Sequence, residues 1–135
     1  MKLSTRVRYG ARALCVLARS YPSPAISLTV IARREGVSVK YLEQIMMPLR
    51  TAGLVVAHAG SKGGYALSRP PGRIRMSEVY AALERSHALV PCIPNPRCCP
   101  RSTRCPTLPL WTAVNRAMNR ELQRIRLSDL VKPRR

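Results

Sequence analysis

Acidic side chains are scarce in this chain: 6 Asp and Glu stand against 24 Lys and Arg in 135 residues, a formal charge of +18. So one-sided a balance costs a small domain self-repulsion and points to a polyanion as partner. Histidine is scarcer still, with His58 and His87 alone. Neither belongs to a recognisable arrangement of nucleophile, base and orienting group, which argues against an enzyme. No run of about 18 apolar residues is present, which excludes a bilayer-spanning helix and a membrane partner. The apolar run from Val7 to Ala18 is interrupted by Arg8 and Arg12 and lacks a cleavage site, so no secretory signal is expected. Internal repeats and low-complexity tracts are also missing. These absences leave a cytoplasmic protein of one domain with an appendage, too short for two full cores.

The cations that are present are mostly arginine, 20 of the 24, the side chain that pairs bidentately with phosphate and guanine. The cysteines are concentrated. Four of the five, Cys92, Cys98, Cys99 and Cys105, fall within Cys92 to Cys105, and six of the 12 prolines lie between Pro91 and Pro109. Proline fixes φ and removes a donor, so this segment is expected as a stiff loop presenting thiols. In a reducing cytoplasm such a group binds metal or senses redox more readily than it forms disulfides, and an odd cysteine count fits a disulfide framework poorly. Counted from Cys92 through either Cys98 or Cys99 to Cys105, five or six residues separate neighbouring thiols, wider than the Cys-x-x-Cys knuckles of zinc sites. That reach suits an iron-sulfur cluster, with zinc and unmetallated thiols as alternatives.

Apolar spacing predicts the elements. Ser4 or Thr5 caps a first helix with Val7, Ala11, Leu14 and Ala18 inward, ended near Tyr21-Pro22-Ser23-Pro24. A second helix follows Ser27 and stops at Gly36. Ser38 then caps a third, running to about Ala52, with Leu42, Ile45, Met46 and Leu49 inward. Its outward residues are Val39, Lys40, Glu43, Gln44, Met47 and Arg50, and Pro48 is expected to kink its last turn. Two short helices about a glycine turn have the dimensions of a helix-turn-helix. Extended runs Leu54 to Ala57 and Tyr65 to Ser68 flank a glycine-rich tip, which makes a wing. Met76 to Leu83 reads as a fourth helix capped by Ser77 or a residue just before it. After the cysteine loop, Leu110, Trp111, Val114, Met118, Leu122 and Ile125 form one apolar stripe. A stripe outside the winged core needs a cover, either the same helix of a second subunit in a two-fold homodimer or its own domain.

The expected fold class is mainly α with a small β-hairpin wing: a winged helix-turn-helix plus a long C-terminal dimerisation helix. The expected divisions are a winged-helix domain over 1–85, a cluster loop over 86–108, and a dimerisation helix with a frayed basic tail over 109–135.

Several blocks in order resemble one family. They are the opening Met-Lys-Leu-Ser-Thr-Arg-Val-Arg-Tyr, then Val-Ser-Val-Lys-Tyr-Leu-Glu-Gln-Ile, Pro-Leu-Arg-Thr-Ala-Gly-Leu-Val and Gly-Ser-Lys-Gly-Gly-Tyr-Ala-Leu. Together they resemble the IscR/NsrR/CymR (Rrf-type) family of bacterial winged-helix regulators, from Met1 to about Val131. The resemblance implies a homodimeric transcription factor that binds a double-stranded DNA operator. Many members hold an iron-sulfur cluster through three loop cysteines.

The resemblance makes Ser38, Lys40, Tyr41, Glu43, Gln44 and Arg50 candidates near bases or phosphates. Gln44 is suited to adenine and Glu43 to cytosine N4, while Lys40 and Arg50 suit phosphate. In the wing, Ser61, Lys62 and Gly63 suit a phosphate or the minor groove. The metal candidates are Cys92, Cys98, Cys99 and Cys105; spacing leaves Cys98 and Cys99 equivalent, and a 2Fe-2S cluster is favoured over 4Fe-4S. Where the family often places a fourth ligand, this chain has Leu108 and Arg8, neither of which can ligate. Cys15 of a partner, both adjacent cysteines or an external ligand remain as options, and an open position would admit NO, oxygen or a thiol. The alternatives are a cluster-free repressor that senses through thiols or a partner protein, and an electron-transfer protein.

Overall fold

The computed structural model describes residues 3–133; Met1 and Lys2 of the opening block, and Arg134 and Arg135 of the expected tail, lie outside the described residues. Lys132, the first tail residue, is engaged, its ammonium 2.7 Å from Asp129 Oδ1.

Helix α1 spans Thr5–Ser20, and Ser4 is its cap, its Oγ accepting from Val7 N at 3.3 Å. Val7, Leu14 and Ala18 are buried as expected, but so are Gly10, Ala13, Val16 and Leu17. The helix is covered on a wide face because the helices at Leu28–Glu35, Val39–Thr51, Met76–Leu83 and Leu127–Leu130 and the strand Gly64–Leu67 all pack on it. Gly10 is the point of closest approach: a Cβ there would run into Leu83 Cδ1 and stand 3.2 Å from Ile45 Cγ2.

Helices α2, Leu28–Glu35, and α3, Val39–Thr51, are joined by Gly36 at φ 68°, the left-handed position that ends α2. Ser27 and Ser38 cap them through hydrogen bonds from Val30 N and Tyr41 N. Leu42, Ile45, Met46 and Leu49 are fully buried, as the spacing predicts. Helix α3 continues past Pro48 to Thr51, so the proline does not end it early.

Strands β1, Val55–His58, and β2, Gly64–Leu67, pair antiparallel with Val55 opposite Leu67 and His58 opposite Gly64. The segment before α2 adds a third rung: Ile26 N donates to Tyr65 O at 2.9 Å and Tyr65 N returns a bond to Ile26 O at 2.8 Å. Gly64 is required at this crossing, since its φ is 153° and a Cβ would strike the Ile26 carbonyl.

Helix α4 is Met76–Leu83, and of the two expected caps it takes a residue before Ser77: Arg75, with the Glu78 carboxylate accepting from Arg75 N at 2.9 Å. Helix α5, Leu108–Arg124, lies along α4, and the short α6, Leu127–Leu130, follows it. Bonds from Met76 N to Ile125 O and from Leu127 N to Ile74 O, both 2.9 Å, tie the end of α5 to the winged core.

The expected stripe on α5 divides along its length. Leu122 and Ile125 pack against the core, whereas Leu110 and Trp111 are 53% and 37% exposed. Its own domain thus covers the C-terminal end of the stripe and leaves its N-terminal end, Leu110 and Trp111, open.

Candidate nucleic-acid interface and cysteine loop

The outward face of α3 follows from its inward one. With Leu42, Ile45, Met46 and Leu49 in the core, Lys40, Glu43, Gln44 and Arg50 are left exposed on the opposite side. Two further candidates have structural duties. The Ser38 hydroxyl oxygen accepts from Tyr41 N at 3.1 Å, which leaves its proton and one lone pair to offer a ligand. Tyr41 is half-buried, with its hydroxyl 3.1 Å from Thr5 Oγ1 and its ring edge-on to Tyr9 at 6.1 Å. It positions α3 against the start of α1.

In the wing, Ser61 and Lys62 are exposed at the tip. Gly63 donates to the Gly60 carbonyl at 3.0 Å, and a Cβ on it would strike the His58 carbonyl, so glycine there is a condition of the turn.

The loop from 86 to 107 includes single 3-10 turns at Pro96–Cys98 and Ser102–Arg104, braced by a 2.6 Å bond from Ser102 Oγ to Pro96 O. Its anchor is on α5. Asn115, the one buried residue of that helix, accepts from Leu89 N through Oδ1 at 2.9 Å. Attention to the apolar stripe hides this residue; the signal available was a polar amide set between Val114 and Met118.

All five thiols are free; Cys98 is exposed, and Cys92, Cys99 and Cys105 are half-exposed. The hydrogen bond with Thr107, Sγ to Oγ1 3.3 Å, lowers the Cys105 thiol below its ordinary range, helped by backbone donors of Thr107 and Leu108 and by the Arg101 charge. Cys15 on α1 moves the other way: burial pushes its thiol up, and it packs against the core. A half-buried thiol packed on the core and shifted this way is a less ready ligand than the loop thiols.

Soft thiolates fit an iron-sulfur group chemically. Among the described residues, however, no three His, Cys, Asp or Glu side chains are gathered closely enough to hold a metal ion, so the loop would have to close to bring three thiols together. No helix among the described residues is long and apolar enough to cross a membrane.

Comparison with known proteins places this arrangement. The profile of the Rrf2 family, described as an iron-dependent transcriptional regulator, matches residues 3–133. Protein rrf2 of Nitratidesulfovibrio vulgaris is 40% identical over 132 residues, 98% of this chain and 88% of the relative. Among solved structures, T. potens IscR superposes with a TM-score of 0.79 at 33% identity, covering 97% of this chain and 86% of that one. The oxidised form of Staphylococcus aureus CymR superposes with a TM-score of 0.81 at 31% identity, covering 100% and 99%. With a winged helix, an exposed polar stripe on α3 and relatives that regulate transcription rather than catalyse, the chain belongs to the Rrf2 family of DNA-binding transcriptional regulators.

Proposed function

We propose that the protein acts as a cytoplasmic homodimer on a double-stranded DNA operator, and that the cysteine loop makes operator affinity responsive to an iron-sulfur cluster. The observation that carries the proposal is the junction at Asn115. A side-chain hydrogen bond joins the thiol-bearing loop to the middle of α5, the helix whose uncovered end, Leu110 and Trp111, offers a surface for a second copy.

In this reading α3 enters the major groove. Gln44 and Glu43 face base edges, Lys40 and Arg50 face phosphates, and Ser61, Lys62 and Gly63 approach the backbone or the minor groove. Ser38 and Tyr41 hold the helix at its entry. Cys92, Cys105 and one of Cys98 and Cys99 would hold the cluster, which supplies redox and NO chemistry and a tie between distant points of the loop. The chain's part is mechanical. A closed loop steadies Leu89 on Asn115 and hence α5, and a loosened loop lets the two recognition helices change separation.

Anaerobic purification with iron and sulfide analysis, on the native chain and on single cysteine variants, tests the cluster. Operator affinity that differs between loaded and cluster-free dimers is expected; equal affinity at every site rejects the switch. Three cations per protomer on phosphate, Lys40, Arg50 and Lys62, predict that log K falls with log salt at a slope of about −5 for the dimer. A flat dependence would reject phosphate contact.

A second reading has support of its own. The thiols are not gathered, and one related structure is of an oxidised form, so a cluster-free regulator that senses through thiols is the alternative. Protein free of iron and sulfide, whose DNA affinity changes on oxidation and recovers on reduction, would favour it.

A further inference from the structure

The outward stripe of α3 holds two apolar side chains, Val39 at its first residue and Met47 in its middle, that phosphate and hydrogen-bond contacts do not use. Met47 is 66% exposed, the most exposed large apolar side chain among the described residues. It lies one turn beyond Glu43 and Gln44 and one turn before Arg50, in the middle of the candidate reading face. Single exposed apolar residues are common on protein surfaces and need no explanation by themselves. This one differs in its setting: it borders an open, largely apolar groove of 610 Å³ lined also by Arg6, Gln44, Pro48 and Ala82. The backbone beneath it is fixed, since the Thr51 hydroxyl donates to the Met47 carbonyl at 3.1 Å.

We propose that Met47 is a base-reading residue that packs on the C5-methyl group of thymine. Of the groups that base pairs display in the major groove, that methyl is the apolar one, and an apolar side chain between hydrogen-bonding neighbours is what selects it. Methionine is unbranched and polarisable and can follow the edge of a base while Gln44 bonds to an adjacent one. The groove behind it gives the side chain room to swing without displacing Gln44. DNA is the occupant because Gln44 and Met47 belong both to the groove and to the outward face of α3, and the groove's lining includes the Arg6 cation, which suits a polyanion.

The inference rests on the DNA-binding assignment of α3, and the test separates the two. A preferred duplex is first selected from random sequences with the native protein. Each thymine of the half-site is then replaced by deoxyuridine, which removes only the methyl, and affinities are measured for the native chain and for Met47→Ala. At one or two thymines the native protein is expected to lose about 4-fold, the value of one buried methyl group. Met47→Ala should show no loss at those same positions while keeping the native affinity for a scrambled duplex and the native salt dependence. Uracil penalties that are equal in the two proteins at every position overturn the proposal, as does a Met47→Ala effect confined to dimer dissociation, which would assign the groove to a second copy. Native protein that selects no sequence and binds no duplex overturns the DNA assignment itself, and this inference with it.

Discussion

Gly10 shows how one missing side chain sets a helix crossing. Glycine within a helix is ordinarily a weakness of roughly 0.5–1 kcal/mol relative to alanine, yet here its bare face receives Leu83 of α4. Gly10→Ala is therefore expected to destabilise the native chain by about 1 kcal/mol, overpacking outweighing the helical gain. In a Leu83→Ala background the same change should stabilise, because the methyl group then fills the space. Urea unfolding of the four proteins measures this reversal, and a Gly10 effect of the same sign in both backgrounds rejects the contact. Thr107 gives a second residue-scale prediction. Its hydrogen bond favours the Cys105 thiolate, so the cluster-free native protein should have a larger thiolate fraction at Cys105 near neutral pH than Thr107→Val. The variant's alkylation rate at Cys105 should rise only at higher pH; superimposable rate profiles would show that the bond has no influence.

Among the elements, α5 was the least legible from sequence, and the cause is its mixed surroundings. Helices α2 and α3 have caps at Ser27 and Ser38 and a glycine stop at Gly36, all local signals, and each appears where expected. The wing was legible for the same reason, its glycine-rich tip enforcing the turn. The stripe on α5 announced a buried face without saying what buries it, and the cover proves to change partway along, from the core at Leu122 and Ile125 to open surface at Leu110 and Trp111. The cysteine loop was legible in composition alone. Spacing of thiols along the chain does not fix where they lie in space, and their separation as folded depends on prolines and 3-10 turns that carry no long-range information. Asn115 is where loop and helix meet. Replacing it by Leu keeps helical volume but strips Leu89 N of its acceptor, at a cost of about 1 kcal/mol. Faster amide exchange across 86–107, with exchange in α5 unchanged, is the expected result; unaltered loop exchange would mean that the anchor lies elsewhere.

At the scale of the whole molecule, the open end of α5 has to be reconciled with a protein of net charge +18. Like charge keeps copies apart, so a pair must be held by apolar contact at a chosen place, and Leu110 with Trp111 is the apolar surface on that helix not covered by its own domain. Trp111→Glu is expected to convert dimer to monomer in sedimentation velocity and to lower operator affinity with it. A variant that remains dimeric would move the interface off α5. The third rung at Ile26 and Tyr65 bears on how such a pair could meet its target. It binds the wing to the segment that leads into α2, so in the proposed dimer hairpin and recognition helix would move as one template, with the distance between the two templates set far away by α5. Operators for this protein should then tolerate an inserted base pair between half-sites more readily than one within a half-site. Drift among its binding sites would accordingly collect in the spacer and spare the arms.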